Sequence, residues 1–131
     1  MIPILFEKGT VDFTTQGIGR LVDCVSCTVT EERNGIYECQ FTYPVSGEMY
    51  PLIQEGCIIG VIHDDVHDIQ PFDIYGRSAP LNGVVTFYAH HISYRLGNIV
   101  LKPMSASSCA AALAAIPNQT YTECPFTFWT D

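Results

Sequence analysis

Basic residues are scarce: six Lys and Arg stand against fourteen Asp and Glu, leaving a formal charge of −8 and a pI near 4.7. Nucleic-acid binding draws most of its affinity from phosphate neutralisation, so a chain this poor in cations falls outside that class. The same deficit argues against docking onto anionic lipid. A neutral or basic protein partner, or a polar conduit that must not hold DNA, suits the sign better. Charge of either kind is also sparse, at 15% of 131 residues against 47% hydrophobic, which excludes a disordered tail. Long apolar runs are missing, and none approaches the ~20 residues that a membrane-spanning helix needs. Residues 1–6 are apolar but have neither a basic leader nor a small-residue cleavage site, so no secretory signal is expected.

Catalytic signatures are missing as well. No GxSxG or cysteine-protease pattern occurs. Thr15-Gln16-Gly17-Ile18-Gly19-Arg20 holds two glycines but neither GxGxxG nor the Lys of a P-loop, and reads as a loop between the first strand and the next hairpin. The one CxxC, Cys24-Val25-Ser26-Cys27, has no second pair to complete a zinc knuckle. It also precedes a β run instead of opening a helix, where a thiol pKa would fall. Residues three apart on a strand face opposite ways, so its two sulfurs are expected to diverge. The six cysteines (Cys24, Cys27, Cys39, Cys57, Cys109 and Cys124) accompany an ample core and no secretory signal. Reduced, mostly buried thiols are expected, not a disulfide scaffold. No cofactor-binding pattern is present.

His63-Asp64-Asp65-Val66-His67-Asp68 gathers hard and borderline metal ligands. Asp64 stands where the zinc-protease motif carries Glu, and the stretch reads as a hairpin tip, so a solvated acidic loop is expected. A metal-dependent hydrolase using His63 to Asp68 is the alternative reading. Another is a carbohydrate-binding β-barrel module, which needs a solvent-facing aromatic platform where the chain has a single Trp, Trp129. His90 and His91 are neighbours on a strand and should face opposite ways, one packed and one exposed.

What is present reads as strands. Residues 27–32 and 36–43 alternate around Arg33-Asn34-Gly35. Tyr37, Cys39, Phe41 and Tyr43 share one face, and Asn-Gly supplies the positive φ angles of a tight hairpin turn. Residues 44–56 read as a loop or short helical turn. Residues 57–63 form a continuous apolar strand, with 71–78 as its return partner. Pro80-Leu81-Asn82-Gly83 marks a second turn leading into a strand over 84–90, which 91–96 continue past a bend. Many short strands at close spacing point to a small barrel or sandwich. A chain this long buries roughly two-thirds of its unfolded surface, enough for a core without metal or disulfides.

The texture changes after Lys102-Pro103-Met104. Ser105-Ala106-Ser107-Ser108 offers N-cap hydroxyls ahead of the Ala-rich run 109–116, and Pro117 ends it. Pro125-Phe126-Thr127-Phe128-Trp129 then places three aromatics in four residues, unlike the polar, frayed end usual for a domain, and reads as a strand cut from a longer protein.

Taken in order, several stretches resemble one family. They are Ile2-Pro3-Ile4-Leu5-Phe6, residues 12–21 (Asp12 to Leu21), residues 27–35 (Cys27 to Gly35), Tyr43-Pro44-Val45, Gln70-Pro71-Phe72-Asp73-Ile74-Tyr75, residues 88–94 (Tyr88 to Tyr94), Ser107-Ser108-Cys109-Ala110 and residues 125–131. Together they resemble the N-terminal hub region of phage minor structural proteins, also called prophage tail endopeptidases or tail-associated lysins. The resemblance implies a mainly β fold. A small β-barrel-like hub domain over 1–103 is followed by one Ala-rich α-helix and the start of a second domain over 104–131. It implies a tail-tip or baseplate hub subunit that closes the distal end of the tail tube as a homotrimer beside other tube proteins. DNA passes through such a ring without specific binding, and no membrane insertion is expected. The implied location is the virion tail, after synthesis in the bacterial host cytoplasm. Some members carry a downstream peptidoglycan hydrolase, but nothing in these residues matches one. No enzyme activity, catalytic residue, cofactor or metal is therefore expected here. Phe126, Phe128 and Trp129 are the expected inter-domain contacts.

Overall fold

A computed structural model describes residues 1–64 and 68–130, which group into two units, Met1–Ile92 and Ser93–Asp131. The first unit is mainly β. Its strands are β1 (Ile4–Phe6), β2 (Gly19–Arg20), β3 (Ser26–Glu31), β4 (Tyr37–Pro44), β5 (Ile58–Val61), β6 (Gln70–Arg77) and β7 (Val84–His91). All pair antiparallel in the order β2-β1-β5-β6-β7-β4-β3, a sheet curled into a half-barrel.

Alternation decides which face is inside. On β4, Cys39, Phe41 and Tyr43 are buried, while Glu38, Gln40 and Thr42 point the other way. On β7, Val85, Phe87 and Ala89 are buried in the same rhythm. Register joins the two rows, with Phe41 opposite Phe87 and Cys39 opposite Ala89. The Phe41 and Phe87 rings stack at 5.0 Å between centroids. β5 is buried at every position, as a strand covered on both faces should be. Leu5, Leu21, Ile53, Ile59, Val61, Phe72 and Ile74 complete the core. Tyr43 keeps its hydroxyl satisfied inside it, donating to Asp23 Oδ2 at 3.2 Å and accepting from the Met49 N–H at 3.3 Å.

The two Asn-Gly turns differ. At Asn82-Gly83 both residues have positive φ, 51° and 76°, and Leu81 and Val84 exchange both backbone hydrogen bonds. This is a two-residue hairpin turn whose twist matches the flanking strands. Between β3 and β4 only Asn34 is left-handed, at φ 58°, so the expected pair of positive φ angles is not formed. The loop is longer there: Gly35 N–H donates to the Glu32 carbonyl and Glu32 N–H to the Ile36 carbonyl. Gly35 serves close approach instead, since a Cβ on it would lie 2.8 Å from Glu32 Cβ.

Three other expectations are corrected. Residues 91–96 do not extend β7; the strand ends at His91 and a 3-10 helix runs over Ile92–Asn98. The stretch 15–20 is not wholly loop, because Gly19–Arg20 pairs with β1 through Leu5 and Ile4. A strand exists through its partner, and that partner lies fourteen or more residues away in sequence. Residues 125–130 form no strand: they join no ladder, so β propensity there has no partner to act on.

In the second unit α1 (Cys109–Ala115) forms where the alanines place it. Ser108 caps it, its hydroxyl accepting from the Ala111 N–H at 3.1 Å. A 3-10 turn over Ile116–Asn118 follows, with Pro117 where a helical N–H would otherwise be needed. A bridge between Leu101 and Thr120 closes the chain back on itself.

Candidate functional site

The aromatic tail divides. Trp129 is 81% exposed, while Phe126 and Phe128 are half-buried. Phe128 lines a small apolar pocket with Leu96, Ile99, Leu101, Ile116 and Cys124, all within the second unit. Trp129 is therefore the member of the expected contact set whose side chain stands in solvent.

The histidine-rich stretch is described only in part, since Asp65, Val66 and His67 lie outside the described residues. Among the described residues no three His, Cys, Asp or Glu side chains converge as a metal site. His63 instead turns into one end of the half-barrel, its Nε2 3.5 Å from Glu31 Oε2 and 3.8 Å from Asp64 Oδ2. There it meets Tyr37 edge-on at 5.9 Å, and Tyr37 stacks on His91 at 4.3 Å and packs edge-on against Phe72 at 5.2 Å. Burial, with Glu31 and Asp64 nearby, pushes the Tyr37 phenol up to about 12. Burial pulls His91 down to about 4, Glu31 opposing the shift and His63 reinforcing it. At neutral pH Tyr37 and His91 are uncharged, a ring pair packed against Phe72 beside Glu31 and Asp64. His90 and His91 do face opposite ways, but His90 is not exposed: it stacks on Tyr75 at 4.9 Å on the outer face. Tyr75 lies 6.4 Å from Tyr88 as well. The row is solvent-facing, yet its rings turn their faces to one another, as cross-strand aromatic neighbours do.

At another part of the sheet a β-bulge sets the position of a cation. Ile74 pairs with Ala89 but Gly76 pairs with Tyr88, leaving Tyr75 as the extra residue. The register after it places Arg77 opposite inward-facing Phe87. Without the bulge Arg77 would point outward with the opposite parity. Arg77 instead lines a hollow of about 400 Å³ with Tyr50, Gln54 and Glu55, over a floor of Ile53, Ile74 and Phe87. No sequence pattern announces a bulge, because the count of residues on the partner strand decides it.

All six thiols are free, but they are not mostly buried: Cys39 is buried, Cys109 is exposed, and the other four are half-buried. They sit on an edge strand, in turns and on a short helix, where burial is incomplete. Cys24 turns its thiol to its own loop, donating to the Ser26 carbonyl at 3.1 Å, and burial raises it to about 11. Cys27 meets Cys39 across the hairpin, with sulfurs 3.7 Å apart. The CxxC spacing thus does not name the thiol pair that the fold brings together.

The half-barrel also has two strand edges. Among the described residues β3 pairs only with β4 and β2 only with β1. β3 is six residues long and carries no Lys or Pro, the usual protections of a free edge. Exposed Val25 precedes it. No known family, characterised protein or solved structure matches the chain.

Proposed function

We propose that this chain is a structural assembly module of a phage or prophage tail tip or baseplate hub, working as one of three copies in a ring at the distal end of the tail tube. The observation that carries the reading is the unclosed sheet. An unprotected edge strand tends to pair with another chain, and a neighbouring copy would complete what β4 leaves open on β3. The ordered resemblance of residues 2–6 through 125–131 supplies the identity of the particle. Exposed Trp129 belongs to the contact surface, and Phe128, seated in its apolar pocket, holds that segment in place. The surplus of acid over base suits a ring whose lumen passes DNA without retaining it. No bond is made or broken in this role; the work is shape complementarity over an obligate interface, typically more than ~2,000 Å².

Sedimentation velocity over a concentration series, with electron-microscopic class averages of the largest species, tests the proposal. Three-fold rings with a hollow axis are expected. A monomer persisting at the highest concentration, with β3 edge amides exchanging freely, overturns it.

A further inference from the structure

We propose that Cys27 and Cys39 form a thiol-oxidation site, in which a peroxide converts the two thiols into a cross-strand disulfide that staples edge strand β3 to β4. The sulfurs are 3.7 Å apart and both thiols are free. Register explains the meeting: Cys27 is opposite Phe41 and Val29 is opposite Cys39, so the cysteines are diagonal neighbours on the inner face. Cys27 is half-buried because it lies on the outermost strand, where a small oxidant has access, whereas Cys39 is buried one strand further in. The roles divide accordingly. The hydrogen bond from Cys39 favours the Cys27 thiolate, outweighing burial, and the same bond with burial holds Cys39 protonated.

The chemistry balances without any group the protein lacks except the peroxide. The Cys27 thiolate attacks one peroxide oxygen, the O–O bond breaks, and the products are a sulfenic acid on Cys27 and hydroxide, which takes up the proton the Cys27 thiol had released and becomes water. The Cys39 sulfur then attacks the Cys27 sulfur, the S–O bond breaks, and hydroxide leaves with the Cys39 proton as a second water. Two thiols and one peroxide give one disulfide and two waters. A diagonal pair starts with its backbones somewhat far apart for a bridge, so one strand must shift. β3 can shift because it has a ladder on one side only.

Trypsin separates the outcomes. Cleavage after Arg20, Arg33 and Arg77 puts Cys24 and Cys27 on peptide 21–33, and Cys39 and Cys57 on peptide 34–77. After hydrogen peroxide, the folded chain should yield these two peptides joined, and dithiothreitol should release them. Cys24→Ala and Cys57→Ala should leave the joined species unchanged. Cys39→Ala, or Cys39→Val if the smaller residue unfolds the sheet, should abolish it and let dimedone trap a sulfenic acid on Cys27. An internal Cys24–Cys27 disulfide in peptide 21–33, or unjoined peptides from peroxide-treated wild-type chain that keeps its native circular dichroism, overturns the proposal.

Discussion

Glu31 and His63 lie 3.5 Å apart, although one ends edge strand β3 and the other follows β5, with three strands between them in the sheet. Only curling of the sheet brings them together, so this pair marks how far the half-barrel has closed. It ties a local charge to a global curvature.

The pair itself contributes little, because the Glu31 side chain is 56% exposed. Glu31→Gln should lower unfolding free energy by less than ~1 kcal/mol in urea titrations. Phe41→Ala, which opens a void beside Phe87 in the fully buried layer, should cost about 3–5 kcal/mol by the same measurement. Equal losses from the two changes would mean that closure, not the core, dominates stability.

Acid should weaken the fold through His91. Its pKa is lowered to about 4 in the folded chain from an ordinary value near 6.5. The unfolded state therefore binds more protons between those values, and stability rises with pH across that window. Full stability is expected above about 6.5, with progressive loss as pH falls toward about 4. His91→Phe keeps the stacking on Tyr37 but cannot titrate, so urea midpoints measured from pH 4.5 to 7 should show a shallower slope than wild type.

Gly83→Ala isolates backbone strain. Its φ is 76° and a Cβ there would meet nothing within 4 Å, so the cost is purely conformational. About 1 kcal/mol is expected from denaturation curves. A neutral effect would show that the 82–83 turn relaxes to another geometry.

Ser108→Ala removes the oxygen that accepts from the Ala111 N–H. The loss should be about 1 kcal/mol, felt within the second unit. Hydrogen exchange at Ala111 should accelerate, while the amides of β4 and β7 keep their protection.

Local chemistry made much of this legible. The alternation of Tyr37, Cys39, Phe41 and Tyr43, the Asn82-Gly83 turn and the Ser108 cap before the alanines are each decided by residues within one element, and each forms. What escaped the sequence is decided across elements. The β1–β2 pairing, the meeting of Cys27 with Cys39 and the inward turn of Arg77 depend on which strand lies alongside and in what register. The aromatic run at 125–129 shows the converse, strong β propensity without a partner. Of the candidate site, the cluster Phe126, Phe128 and Trp129 could be named from the sequence, but their differing exposure and the open sheet edge could not, since both depend on what lies alongside.

The extra residue at Tyr75 works as a parity counter. Deleting Tyr75 alone would leave Ile74, Gly76 and Arg77 opposite Ala89, Tyr88 and Phe87, a regular ladder in which Arg77 keeps its partner. A single deletion at this position is thus absorbed, whereas a single insertion beside it would need a second residue to leave the ladder.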